Sequence, residues 1–169
     1  MRIIQLTIII VLLVLSSAFT LSKKNKPLEF DVKKTDKSLC QVGDSLYAYA
    51  FEVSNADYTL FINNLKEENK DWKVQYPDTA LWRSCFPRAY CEPFSEHYFS
   101  HPAYRKYPVV NVTQEQAIAY CTWLTEIYNG MKKRKFQKVK FRLPNIEEWE
   151  LAASGGLQMN EYPNEGVYL

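Results

Sequence analysis

An α+β domain is the fold class this sequence predicts, and three observations carry it. Short apolar runs at residues 46–53, 109–112 and 139–143 have the character of strands. A helix-capping signature follows each run, at Ser54, Thr113 and Asn145. Behind the caps, apolar residues return at helical spacing, as Tyr58, Phe61, Ile62 and Leu65 do. The 169 residues, 47% hydrophobic and 15% aromatic, are enough for one core built on aromatic packing. The net charge of +2 points to neither nucleic-acid nor acidic-substrate binding.

The N-terminus reads as an export signal over residues 1–18. Arg2 supplies the positive end, Ile3 to Leu15 is apolar apart from Gln5 and Thr7, and Ser16-Ser17-Ala18 offers small residues for cleavage. The run is short against the ~20 residues of a membrane span, although Phe19 and Leu21 extend it, so an uncleaved anchor is the alternative. Residues 19–41 read as a polar linker, because 22–38 hold six lysines and few apolar groups. Export makes Cys40, Cys85, Cys91 and Cys121 candidates for disulfides. Cys85 and Cys91 flank a short loop that one bridge could close. Their spacing does not suit zinc, which leaves disulfide and free thiol as the two readings.

Along the chain, Leu46–Val53 places Tyr47, Tyr49, Phe51 and Val53 on one strand face. Ser54 caps a helix, with Asp57 reaching back in the capping-box manner. Residues 72–106 carry Pro77, Pro87, Pro93 and Pro102 among many aromatics, and are expected to form a long ordered loop. After the strand at Val109–Val112, Thr113 and Gln116 form a second capping box. Ala117, Tyr120, Cys121, Leu124, Ile127 and Tyr128 make the inner stripe of its helix, and Trp123 is also expected to face inward. Asn129-Gly130 is expected to stop it with a left-handed glycine. A basic connection over Lys132–Lys138 leads to the strand Val139–Leu143. Asn145 then caps a helix with Glu148 as its partner, Trp149, Ala152 and Ala153 face inward, and Gly155-Gly156 closes it. Three such short strands make a meagre sheet, so further strands are expected to complete it.

Candidate chemical groups are sparse. His97 and His101 have the i, i+4 spacing of metal ligands, but Pro93 and Pro102 crowd the helix and no further ligand follows. Glu147, Glu148 and Glu150 suit a helix N-terminus, where the dipole favours negative charge, without needing an acid–base role. Lys132 to Lys135 reads as a solvated loop, and Cys121 as a structural thiol on an inner stripe. Asn111-Val112-Thr113 fits a glycosylation sequon.

Four segments together resemble the formylglycine-generating enzyme family, also called the sulfatase-modifying-factor domain. Glu52-Val53-Ser54-Asn55-Ala56-Asp57-Tyr58 is similar to its "E-V-T-N-x-x-Y". Pro108-Val109-Val110-Asn111-Val112-Thr113 is similar to its "P-V-V-x-V-(S/T)", and Ala117 to Trp123 to its "A-x-x-Y-C-x-W". Arg142-Leu143-Pro144-Asn145-Ile146-Glu147-Glu148-Trp149-Glu150 is similar to "R-L-P-T-E-A-E-W-E", with Asn-Ile where Thr-Glu is usual. Tyr98 to Tyr104 resembles a version common in gliding-motility and secretion-associated lipoproteins of the superfamily.

The resemblance covers residues 42–169 and implies the N-terminal portion of an irregular, C-type-lectin-like fold, incomplete at the C-terminus. Enzymes of the family convert a sulfatase cysteine to formylglycine, using oxygen, copper and a cysteine pair. The resemblance implies that this pair and the calcium ligands belong to a C-terminal half beyond Leu169. Glu52, Asn55, Tyr58, Cys121, Trp123, Arg142, Leu143, Pro144, Glu148, Trp149 and Glu150 are expected to be structural motif residues. No catalytic, cofactor or metal residue is assigned. The expected function is that of an exported, non-catalytic structural or binding component at the cell envelope. Its partners would be envelope or secretion-apparatus proteins, with membrane contact only through an uncleaved signal segment. The alternative is a formylglycine-generating oxidoreductase whose catalytic half lies beyond this chain, and a third reading is a small lectin-like binding module.

Overall fold

A computed structural model describes residues 29–154. Among them the order is α1 (Val32–Ser38), β1 (Leu39–Gln41), β2 (Tyr47–Tyr49), α2 (Asn55–Glu67), α3 (Leu81–Cys85), α4 (Glu92–His97), a 3₁₀ turn (Pro102–Tyr104), α5 (Gln114–Gly130) and α6 (Ile146–Ala153). The expected mixture of helices with a small sheet is present, weighted towards helix. The expectations for the export signal and for Gly155-Gly156 lie outside the described residues.

The core forms where α2 meets α5. Tyr58, Phe61 and Ile62 of α2 and Tyr120, Trp123 and Leu124 of α5 are the buried residues of one cluster. Tyr58 stacks on Tyr120 at 5.5 Å between ring centroids, while Phe61 meets Tyr120 edge-on and Trp123 at a tilt. Such offset and edge contacts add to area burial, because ring edges and faces carry opposite partial charge. The Trp123 indole N–H donates to Asn64 Oδ1 at 2.8 Å, so the one polar atom of a buried Trp is satisfied across the helix pair.

Both helices begin as their sequences require. Thr113 Oγ1 accepts from the Gln116 backbone N–H, and the Gln116 side chain accepts from the Thr113 N–H, closing the capping box. At α2 the Ser54 hydroxyl accepts from the Asp57 N–H and donates to the Asp57 carboxylate at 2.6 Å. Asp57 therefore reaches the Ser54 hydroxyl and not its backbone N–H. Gly130 is the last residue of α5, and the next residue, Met131, is extended, so no left-handed glycine ends the helix.

The strands are shorter than the apolar runs suggest. Only β1 and β2 pair, antiparallel, with Cys40 opposite Ala48. The run from Val109 to Val112 contributes a single bridge, Pro108 opposite Ser54, and the hydrogen bond from Val109 N to Val53 O. Pro108 has no N–H to extend this ladder, and Asn111, at φ 59°, lies in the left-handed region, outside the extended one. The run Val139–Leu143 forms no strand. Side chains of α5 satisfy its backbone: Asn129 bonds both Val139 N–H and C=O, and the Phe141 N–H donates to Thr125 Oγ1.

Three other segments depart from expectation. The polar linker, as far as it is described, is folded from residue 31 on. Asp31 caps α1, Phe30 sets its ring edge against Trp123, and Asp36 accepts from the Tyr128 hydroxyl and from Lys135 N–H. Lysine content hid this docking, which rests on the few residues between the lysines. The Pro-rich stretch 72–106 is ordered by aromatic packing as expected, but also contains α3 and α4. Trp82 stacks on Phe94 at 5.2 Å with the rings inclined by 29°, and joins the two.

The third segment is α6. Its N-terminus is fully capped by Asn145 and Glu148, and the Arg142 guanidinium grips the Glu148 carboxylate with two bonds of 2.6 and 2.5 Å. None of its residues is buried, and Trp149, expected to face inward, is 63% exposed. Local capping makes this helix without tertiary cover, which the apolar period cannot distinguish from a buried face. Trp123→Ala should cost about 3–5 kcal/mol in equilibrium unfolding, as a buried Trp does. Trp149→Ala should stay within ~0.5 kcal/mol, as an exposed site does. Equal costs for the two would mean that the packing of one of them is misassigned.

Arg142 beside it and the Asn145 N–H hold the Glu148 carboxyl down at about 2, from an ordinary 4.5. A depressed carboxyl contributes order above its unfolded value and loses it as pH falls through its folded one. Glu148→Gln should therefore fray α6 at neutral pH relative to the parent, with the difference disappearing between about pH 4.5 and pH 2. NMR of the α6 amides measures this; a difference that grows on acidification would contradict it.

Candidate functional site

One concavity among the described residues is a cleft of about 480 Å³ lined by residues of α1, α2 and α5. The sequence dictates its two sides. Tyr120 and Trp123 of α5 reach it from the core cluster, and Leu60 of α2 and Phe30, ahead of α1, pack against them and complete the apolar wall. The polar rim comes from the helix starts: Asp31 and Lys34 on α1, Asp57 on α2, and Glu52 just before it. Lys34 Nζ reaches Asp57 at 2.7 Å and ties α1 to α2 across the cleft.

The chemistry available there is limited. Asp31 is occupied as a helix cap, accepting from the N–H groups of Lys33 and Lys34. Asp57 is held by Ser54 and Lys34. Burial, reinforced by the negative charge of Asp57, pushes the Tyr120 phenol far above its ordinary value, so it stays a neutral hydroxyl at physiological pH. The two aspartates and Tyr120 are thus committed to structure, and the apolar wall with its polar rim suits binding of an amphipathic ligand.

The residues singled out in the sequence are placed as follows. Asn55 is 1% exposed and its amide donates to Tyr98 O and Tyr104 O, both at 3.0 Å. One side chain thus pins the aromatic loop to the start of α2. Tyr58 donates to Gln75 O, and burial pushes its phenol up to about 12. Trp123 and Cys121 lie on α5, the first in the core and the second half-buried, with its thiol pushed up by burial, which disfavours the thiolate. Glu52 is exposed at the cleft mouth. Arg142 and Glu148 form the fork at α6. Leu143 and Glu150 are half-buried, and Pro144 and Trp149 are exposed.

The structure brings Asn55, Tyr58 and Trp123 to the α2–α5 junction and leaves the α6 group apart. The four cysteines are unbridged and lie on separate elements: Cys40 in β1, Cys85 ending α3, Cys91 capping α4 and Cys121 within α5. Cys91 is buried, with its thiol donating to Phe86 O. His97 ends α4, and His101 caps the 3₁₀ turn by accepting from Ala103 N–H, so the two do not share a helix. Sequence reasoning missed Gln116 as a clamp. Beyond its capping role its amide donates to Val74 O and Tyr76 O, fastening the start of the long loop. A glutamine at the third helical position signals a cap, and nothing in its spacing signals a second duty.

Comparison with known proteins agrees with this motif architecture. The family model described as "Sulfatase-modifying factor enzyme 1-like domain" matches residues 19–167. The chain is 27% identical over 139 residues to the formylglycine-generating enzyme of Mus musculus, covering 71% of this chain and 33% of that protein. It is 40% identical over 140 residues to inactive C-alpha-formylglycine-generating enzyme 2 of Bos taurus, covering 82% of this chain and 41% of that protein. The chain thus spans between a third and two-fifths of the length of these relatives. No solved structure matches. The family match spans nearly the whole chain, and the motif residues occupy the structural positions just described: the chain belongs to the sulfatase-modifying factor enzyme 1-like domain family.

Proposed function

We propose that this chain is an exported sulfatase-modifying-factor-like protein acting as a non-catalytic structural or binding component at the cell envelope. The observation that carries this reading is the use made of the motif residues. Asn55, Tyr58, Trp123, Arg142 and Glu148 are all committed to internal hydrogen bonds or packing. Relatives named as active and as inactive both match, so membership alone does not decide between roles. The cysteines favour inactivity within this segment. Oxygen chemistry at copper calls for clustered thiolates, which select Cu(I). Here the thiols are dispersed, and burial opposes ionisation of Cys121. Cys85 and Cys91 are close in sequence and, in an oxidising compartment, would serve as a bridge closing the α3–α4 hairpin. The architecture we propose is C-type-lectin-like, with any copper and calcium ligands in the part of the family domain outside this segment.

The second reading is a formylglycine-generating oxidoreductase, and the name of the Mus musculus relative favours it. Residues 19–169, purified and incubated with a sulfatase-derived peptide, test whether this segment itself carries the chemistry. No formylglycine should appear by mass spectrometry, with or without added copper. Formylglycine formation that disappears in a Cys85→Ser/Cys91→Ser variant would establish the enzyme reading. Export has its own test: the mature N-terminus should begin at Phe19, and an intact Met1 in a cytosolic fraction would contradict it.

A further inference from the structure

A second concavity, of about 200 Å³, lies on another flank of α2 and carries a different charge. Thr59, Asn63 and Lys66 line it from one face of the helix, spaced as 3.6 residues per turn requires. Arg105, after the 3₁₀ turn, lines it together with the rings of Tyr76 and Phe99. No aspartate or glutamate lines it. Among the described residues, Lys34, Lys70, Arg83 and Arg142 take carboxylate partners, and neither Lys66 nor Arg105 does.

Both cations are positioned without being neutralised. The Lys66 ammonium sits 4.2 Å from the centre of the Trp72 ring, a contact that orients the charge and leaves it in place. Arg105 is half-buried, and its backbone is fixed to α2 by the hydrogen bond from Ala56 N–H to Arg105 O. The Thr59 and Ser100 hydroxyls already donate to Asn55 O and Glu96 O, which leaves them as acceptors. The donors free to meet a ligand are thus the ammonium, the guanidinium, the Asn63 amide and the Tyr76 hydroxyl. The floor is aromatic, with Tyr76 and Phe99 edge-to-face at 5.0 Å.

We propose that this pocket binds a small organic oxyanion, a sulfate or phosphate monoester on a flat apolar body, with Arg105 and Lys66 holding the anion and Tyr76 and Phe99 holding the ring. Guanidinium suits such oxyanions because its fork of N–H groups matches two ester oxygens at once.

Isothermal titration of the full chain with phenyl sulfate, phenyl phosphate and phenol tests this, in low and moderate salt. At least one ester should bind, more weakly in higher salt, and phenol should not. Tighter binding of the phosphate ester would name a phosphoryl ligand, and tighter binding of the sulfate ester a sulfuryl one. Arg105→Gln and Lys66→Gln should each weaken binding by roughly tenfold, the loss of one charge-assisted contact. Lys33→Gln, outside the pocket on α1, should leave it unchanged. Lys66 is exposed, so its variant keeps the test valid even if Arg105→Gln perturbs the fold, which thermal unfolding would reveal. Phenol binding as well as the esters, no binding of either ester at millimolar concentration, or indifference to Lys66→Gln would overturn the proposal.

Discussion

The contact between α2 and α5 is the constraint on which the rest of this structure depends. It buries Tyr58, Phe61, Tyr120 and Trp123 against one another and closes with the bond from Trp123 to Asn64. Several other described segments are fastened to one of these two helices by a side chain. Asn55 at the start of α2 holds the aromatic loop by Tyr98 and Tyr104. Gln116 at the start of α5 holds the other end of that loop by Val74 and Tyr76. Asn129 and Thr125, late on α5, hold the segment from Val139 to Phe141. Tyr128 holds α1 through Asp36. A helix pair with polar pins at its ends can organise irregular chain that forms almost no sheet, because the pins satisfy backbone groups a strand partner would otherwise satisfy.

This division of labour explains which parts of the structure were legible in the sequence. The caps at Ser54, Thr113 and Asn145 are local devices, and a local pattern reads them correctly. The core faces of α2 and α5 repeat at 3.6 residues and are equally visible. The strands were overread because alternation reports a half-buried extended segment and does not report a partner. Pro108 and left-handed Asn111 interrupt one run, and side chains replace the partner of another. α1 is hard to read because lysine content outweighs Phe30 and Asp36, whose contacts lie far along the chain on α5 and beyond it.

The motif residues show the same contrast between identity and role. Their types and order marked the family from sequence, and their duties needed coordinates. Asn55 looks like a generic helix-start residue, yet it is the joint between α2 and the aromatic loop. Arg142 and Glu148 look like a surface ion pair, yet they close the cap of a helix that is otherwise unsupported. Neither binding candidate was visible in advance. The cleft under α1 needs the docking of a segment read as linker, and the cationic pocket joins Lys66 to Arg105 across the long loop.

Native-state hydrogen exchange tests the dependence on the α2–α5 pair most directly, since it resolves which amides open together. The slowest amides should be those of α2 and α5, opening as one unit, with the amides of α6 exchanging at least about tenfold faster. Amides of α6 as protected as those of α5, or α2 and α5 opening independently, would contradict a fold held by that one helix pair.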